Sequence, residues 1–230
     1  MEASKLKFLE EVGKLKRTAR RGWVIKNIDE PETISGHMYR MSLMPLLVME
    51  NLVNLDTNKI IKLCLIHDLA ECIVGDITPH DNVSKTETEK HKRETDAINH
   101  LASLLPNIRA AELKDLFDEY ENQETPESQL TKDFDLYDMV HQAFEYEKLQ
   151  FDKTGVIPDL SEFFCQTKVL SRIRNKEVND LVNEIIKQRV IFWNQNSEPS
   201  ENSESVKNSS QSSENDSGIQ LEEEQVQVEN

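Results

Sequence analysis

The sequence predicts an all-α protein, and three observations carry that expectation. Apolar residues recur at helical spacing through Leu6, Leu9, Val12 and Leu15, and again through Met41, Met44, Val48 and Leu52. No stretch alternates persistently between apolar and polar residues as a half-buried strand would. Helix punctuation falls between the periodic segments: Asp56 and Thr57 as caps, Gly75 and Pro79 as a stop, Pro106 and Pro126 as breaks. No internal repeat is visible, so residues 1–195 read as one compact multi-helix domain and 196–230 as a tail.

The elements follow in order. A first helix spans the Leu6 to Leu15 pattern, and a second carries Met41 to Leu52. Pro45 removes a backbone hydrogen bond from the second, so it kinks that helix or marks its boundary. A third, capped at Asp56 or Thr57, carries Ile60, Cys64 and His67 and ends at Gly75. Ser84 to Leu105 forms a charged helix and Ile108 to about Glu121 a shorter one. Glu127 to Gln150 places Leu130, Phe134, Val140 and Phe144 on one buried face, and helices over Leu160 to Ile173 and Asn175 to Trp193 complete the domain.

Composition narrows the function. The tail holds nine acidic residues against one Lys, nine Ser and no aromatic residue, a composition that cannot offset ordering entropy and predicts disorder. Its net charge of −8 is half of the chain's −16, which leaves a moderately acidic body and argues against non-specific binding of polymeric nucleic acid. Cys64, Cys72 and Cys165 form an odd set without C-x-x-C spacing or a secretory signal, so reduced, intracellular thiols are expected. The richest apolar run, Ile60 to Val74, is broken by Lys62, His67, Asp68 and Glu71 and cannot cross a membrane. A soluble, cytoplasmic protein is the expectation.

Inside that same run, His67 and Asp68 stand side by side, with His37 upstream and Asp135 downstream. An adjacent His-Asp pair is costly to bury unless something neutralises it, and a divalent ion gripped by two imidazoles and two carboxylates does so. Four protein ligands on a five- or six-coordinate ion leave room for water and a phosphate oxygen. Mixed imidazole and carboxylate ligation suits Mn²⁺, Co²⁺ or Mg²⁺. The competing reading makes His37 and His67 hydrogen-bonded core histidines and Asp68 a cap, and spacing alone leaves the choice open. Glu71 follows His67 by four residues, so on a continuous helix both share a face and the carboxylate is placed to act on a water. Arg20-Arg21-Gly22-Trp23 offers guanidinium groups for a phosphate beside an aromatic ring that could pack on a sugar.

His37, the His67-Asp68 pair and Asp135 match in order and spacing the H…HD…D signature of the HD-domain phosphohydrolases. The surrounding Gly22-Trp23, Ser35-Gly36-His37-Met38, LIHDLAECIVGDITP from Leu65 and KDFD from Lys132 narrow the match. Over residues 5–195 the chain resembles the 5′-deoxynucleotidase branch, which includes the YfbR-like enzymes and the HD domain-containing protein 2 group. That resemblance implies an all-α HD fold and a homodimer. It also implies divalent-metal-dependent hydrolysis of deoxyribonucleoside 5′-monophosphates to deoxynucleoside and phosphate. It makes His37, His67, Asp68 and Asp135 the metal ligands, Glu71 the group that activates water and Asp76 the acid that protonates the departing 5′ oxygen. By the same resemblance Arg20 or Arg21 holds phosphate, Trp23 crowds the sugar 2′ position, and Glu119 contacts the sugar region. Gly36 departs from the pattern, because relatives carry an acid there that could orient His37 or cap its helix. Two alternatives remain: another HD chemistry, on cyclic nucleotides or nucleoside triphosphates, or a non-catalytic metal-binding module. His91 and His100 read as solvated, and His141 as a partner of Asp138.

Overall fold

The computed structural model describes residues 2–48, 54–78, 87–167 and 169–196. Nine α-helices are present among them: α1 Glu2–Val12, α2 Arg21–Ile25, α3 Ile34–Leu43, α4 Thr57–Ile66, α5 Glu71–Val74, α6 Glu87–Ser103, α7 Asn107–Asn122, α8 Pro126–Thr154 and α9 Lys176–Asn196. The only pairing outside helices among these residues is an isolated antiparallel bridge between Ala19 and Thr33. The tail, apart from Asn196, lies outside the described residues, as do Leu52, Pro79 and the first three residues of the expected helix at Ser84.

Local chemistry sets the boundaries. Asp56 caps α4, its carboxylate accepting from the Lys59 N–H at 3.1 Å, and Thr33 caps α3 by accepting from Gly36 N–H at 3.2 Å. Thr125 and Ser128 form a reciprocal capping box at the start of α8, with Pro126 in its first turn. Pro45 does mark a boundary: α3 gives way to a 3-10 turn over Met44–Leu46. Gly75 ends α5 at φ 78, ψ 167, a conformation that L side chains rarely adopt.

Helix α8 is the central post. Its Leu130, Phe134, Val140 and Phe144 pack with Met41 of α3, Ile60 and Cys64 of α4, and Val178, Val182 and Ile185 of α9. A second core joins Leu15, Ile34, Met38, Leu69, Ile98, Leu101, Leu113 and Phe117, which ties α3 and α5 to α6 and α7. The functional residues lie where the two cores meet, on α3, at the α4–α5 junction and on α8. Leu6 and Leu9 of α1 are exposed, while Phe8 and Val12 of α1, with Leu15 of the 3-10 turn that follows, pack into the second core.

Two expectations are corrected. Leu160 to Ile173 is not a helix: Ser161–Phe164 and Leu170–Arg172 form separate 3-10 turns, with extended backbone at Cys165 between them. Leu160, Phe163 and Phe164 spend their apolar surface against Trp23, Ala143 and Tyr146, so tertiary packing satisfies the segment without helical periodicity. The helix carrying His67 is also not continuous to Gly75. It ends at Ile66, and a turn with a Glu71 N–H to Asp68 carbonyl bond separates it from α5.

Candidate metal centre and active site

His37 projects from the first turn of α3 and is fully buried. Its Nδ1 lies 2.6 Å from Asp138 Oδ2 on α8, and Asp138 is itself gripped by the Arg40 guanidinium. Burial alone would raise the Asp138 pKa, but its bonds to His37 and Arg40 hold it below the usual carboxylate range. An ionised carboxylate only accepts, so Nδ1 carries the proton and Nε2 is left facing inward. His67, the C-cap of α4, repeats the arrangement with a backbone partner: its Nδ1 lies 2.9 Å from the Cys64 carbonyl oxygen, which also only accepts. Both Nε2 atoms are buried and without a hydrogen-bond partner.

Carboxylates surround those two nitrogens. Asp135 Oδ1 lies 3.3 Å and Asp68 Oδ2 3.8 Å from His37 Nε2, and Asp68 Oδ2 lies 3.1 Å from His67 Nε2. His37, His67 and Asp135 each bring a donor atom within 4.8 Å of the others. Bare imidazole lone pairs facing carboxylate oxygens repel, so the cluster is complete only with a cation at its centre. Burial and the Arg20 charge lower the His37 pKa, yet Asp135 and Asp138 outweigh both and raise it to about 9. The field of the site thus calls for positive charge at Nε2, which a proton or a metal ion supplies. Burial raises Asp68 and Asp135, but the two histidines, with Arg20 for Asp68 and Lys132 for Asp135, hold both well below the ordinary range. The donor set therefore fits a divalent ion. Lys132 and Tyr120 bind the other oxygen of Asp135, at 2.6 and 3.2 Å, which leaves Oδ1 turned to the histidines.

A cleft of about 250 Å³ opens on this cluster, lined by Arg20, His67, Asp68, Glu71, Asp76 and Asp135 together with residues of α6, α7 and α8. Backbone bonds between Arg20 N–H and Glu32, and between Ile34 N–H and Thr18, hold the strand-like segment that carries Arg20 beside α3. Its guanidinium reaches Asp68 at 3.5 Å and Glu32 at 3.8 Å. Burial disfavours the Arg20 charge, but Asp68, Asp135, Glu32 and Asp76 outweigh it and keep the group cationic. Glu71 is pushed well above the usual carboxylate range by burial and by the Asp68 and Asp76 charges. Asp76, turned back into the cleft by Gly75, accepts from Arg21 N–H at 2.6 Å, and burial raises its pKa too.

Three expected substrate residues fall elsewhere. Arg21 is outside the cleft lining; it is exposed at the start of α2 and gives its backbone N–H to Asp76. Trp23 is 1% exposed, with Nε1–H donating to Glu32 at 3.0 Å and its ring packed on Tyr146 and Phe163, so it is core and touches no open space of the cleft. Glu119 is outside the cleft lining and pairs with Lys59 at 2.9 Å and with Thr125. His141 does not pair with Asp138, whose oxygens His37 and Arg40 occupy; it lies 3.7 Å from Glu145. His91 is exposed, as expected, and also lines the cleft, its Nδ1 3.2 Å from Glu121. The acid absent at Gly36 has two substitutes, because Thr33 caps α3 and Asp138 orients His37. Sequence reasoning gave no site role to Arg40, Tyr120 or Asp138, the last being matched to His141, and none to Lys132 beyond its place in the KDFD text.

An all-helical frame around a histidine and aspartate cluster of this kind defines a metal-binding hydrolytic centre. Comparison with known proteins places it further: an HD domain family model matches residues 12–176. The chain is 45% identical over 184 residues to the 5′-deoxynucleotidase HDDC2 of Danio rerio, covering 80% of this chain and 87% of that protein. It is 41% identical over 186 residues to the 5′-deoxynucleotidase HDDC2 of Homo sapiens, covering 81% and 86%. Among solved structures, a conserved hypothetical protein from Pyrococcus furiosus superposes with a TM-score of 0.62 at 31% identity, over 79% of this chain and 99% of that one. The chain belongs to the HD-domain family.

Proposed function

We infer that this chain is a metal-dependent phosphomonoesterase, a 5′-deoxynucleotidase that converts deoxyribonucleoside 5′-monophosphates to deoxynucleoside and phosphate. The observation that carries the metal dependence is the pair of buried Nε2 atoms of His37 and His67, unpartnered and facing carboxylates. The substrate class rests on the relatives named 5′-deoxynucleotidase, which align over most of both chains.

His37, His67, Asp68 and Asp135 would hold the ion, proposed to be Mn²⁺, Co²⁺ or Mg²⁺. When bound it supplies Lewis acidity toward the phosphate and lowers the pKa of water. Arg20, cationic at the cleft wall, binds the phosphate oxygens and orients the ester. Glu71 and Asp76 are both raised by burial, and Asp68 adds to the shift of each, so the pair favours holding one proton between them. Glu71 is raised the further of the two, and a bound cation would offset the Asp68 charge that helps raise it; ionised in that way, Glu71 would take the proton from water, while Asp76 gives its proton to the 5′ oxygen as the P–O bond breaks. Binding that engages mainly phosphate makes base selectivity loose. Preference for the deoxy sugar cannot come from direct contact with the Trp23 ring as it is placed here.

No helix among the described residues is long and apolar enough to cross a membrane. An intracellular homodimer is the accompanying proposal, which light scattering of the purified chain tests. A screen of deoxy- and ribonucleoside 5′-monophosphates, cyclic nucleotides and triphosphates for phosphate release tests the reaction. Release confined to 5′-monophosphates supports the reading, and turnover confined to cyclic nucleotides or triphosphates overturns it.

A further inference from the structure

A second groove, of about 540 Å³, adjoins the catalytic cleft and is lined by Gln123, Leu136, Ser171, Arg172 and Arg174. Tyr120, Glu121 and Lys132 line both spaces, so the two are neighbours across these side chains. The segment Ser171-Arg172-Ile173-Arg174 explains how its two arginines come to face the groove together. Arg172 closes the 3-10 turn Leu170–Arg172, and Ile173 after it is extended, at φ −76 and ψ 116. Ile173 turns inward at 5% exposure, into the core with Val178 and Val182, while Arg172 and Arg174 on either side of it are exposed and line the groove.

The segment is also fixed in place. Asp133, 2% exposed on α8, accepts the backbone N–H groups of Arg174 and Asn175 at 3.0 and 2.6 Å. Those bonds tie the arginine segment to the helix that carries Asp135. Lys132 is engaged with Asp135, and Glu121 with His91. Neither Arg172 nor Arg174 forms an ion pair among the described residues, although the chain carries 43 acidic residues. The Arg174 charge acts on Asp133 without a direct ion pair, and two guanidinium groups on a pinned segment beside the cleft are suited to an anion, of which phosphate matches a guanidinium best.

We propose that this groove binds a second phosphate carried on the far side of the nucleoside. Nucleoside 3′,5′-bisphosphates would then lose their 5′ phosphate in preference to simple 5′-monophosphates. The inference rests on the 5′-monoesterase reading. With the 5′ phosphate beside Arg20, the nucleoside extends past Tyr120 and Lys132 and its 3′ substituent enters the groove. Water adds its oxygen to the 5′ phosphorus, the P–O5′ bond breaks and O5′ takes a proton. The 3′ ester is untouched, so the products are orthophosphate and a nucleoside 3′-phosphate.

The test compares kcat/KM of the full chain, with a divalent ion, on dAMP, 2′-deoxyadenosine 3′,5′-bisphosphate and dADP. The bisphosphate should be favoured over dAMP by about tenfold, chiefly through KM, as expected for one added charge-assisted contact. The diphosphate, with its extra charge on the 5′ side, should show no such gain. The double variant Arg172→Ala, Arg174→Ala should bring the bisphosphate to monophosphate ratio to about one. A 5′-phosphorylated dinucleotide distinguishes the source: an arginine-dependent gain there admits a diester, and none restricts the site to a terminal monoester. A wild-type ratio of one or less, or a ratio unchanged in the double variant, overturns the proposal. If no 5′-monophosphate is hydrolysed, the monoesterase reading fails by itself. Calorimetric binding of the same nucleotides to metal-loaded Glu71→Gln then decides the subsite: tighter, arginine-dependent binding of the bisphosphate sustains it and equal binding removes it.

Discussion

Helix α8 buries two carboxylates completely, Asp138 toward α3 and Glu147 toward α9, and their neighbourhoods close differently. Glu147 receives a two-pronged grip from Arg189 at 2.7 and 2.8 Å and the Trp193 Nε1–H at 3.0 Å. Every strong donor there has its acceptor, and nothing else is called for. Asp138 is equally well served by His37 and Arg40, yet the chain of bonds ends one ring further on, at a buried Nε2 without a partner. A satisfied buried ion pair ties helices together, whereas a buried polar atom left unpaired is tolerated where an absent group completes it.

The comparison can be broken most forcefully at the chemistry. Glu71→Gln should keep metal content near that of wild type while lowering kcat by about 10²-fold or more, as expected for a lost proton-transfer group. Metal analysis alongside rate checks this, and parallel loss of metal would make Glu71 a ligand.

The two carboxylates themselves come next. Asp138→Asn should weaken metal binding by about 10- to 100-fold, because Asn no longer fixes the His37 tautomer by charge. Glu147→Gln should leave metal affinity within about twofold and instead cost about 3 kcal/mol of stability, read by urea unfolding. Equal effects of both variants on metal affinity would erase the distinction between them.

Trp23 sharpens the same contrast from the core side. Trp23→Ala should cost about 3–5 kcal/mol, as a large buried ring leaving a cavity does. Trp23→Phe should keep the wild-type ratio of deoxy- to ribonucleotide kcat/KM. A ratio that collapses in the Phe variant would return the ring to the substrate.

The smallest effect concerns the cysteines. Burial pushes Cys64 up to about 12 and Cys72 to about 11, so almost no thiolate is present at pH 8, and both are sterically covered. One thiol per chain, Cys165, should label rapidly with a disulfide reagent at that pH in native protein. Three should react in denaturant, and rapid native labelling of three would contradict the packing.

What the sequence reveals depends on whether distant partners are joined by a recognisable pattern of residues. The His67-Asp68 pair is local, but His37 and Asp135 are 98 residues apart and were joined to it only through the H…HD…D signature, not through proximity. Arg40 and Asp138 are 98 residues apart, and nothing at either position announces the other. Asp138 was matched instead to His141 by proximity in the chain, a choice that only the facing of α3 and α8 corrects. The Leu160 to Ile173 segment misled in the same way. Its apolar residues fit a helical period, but Phe163 and Phe164 pack on or beside the Trp23 cluster and the backbone between the two turns is extended. Trp23 followed a motif whose Arg20 does reach the cleft, while its own ring turns inward to Glu32 and Tyr146.

The central claim is that His37, His67, Asp68 and Asp135 hold an ion on which hydrolysis depends. Titrating a divalent ion into chelator-stripped protein, with phosphate release from dAMP followed in wild type and in His67→Ala, tests it most directly. Stripped wild type should be inactive and recover with about one ion bound per chain, while His67→Ala should neither bind the ion tightly nor recover. Undiminished phosphate release from stripped protein, or full recovery of the variant, would contradict the account.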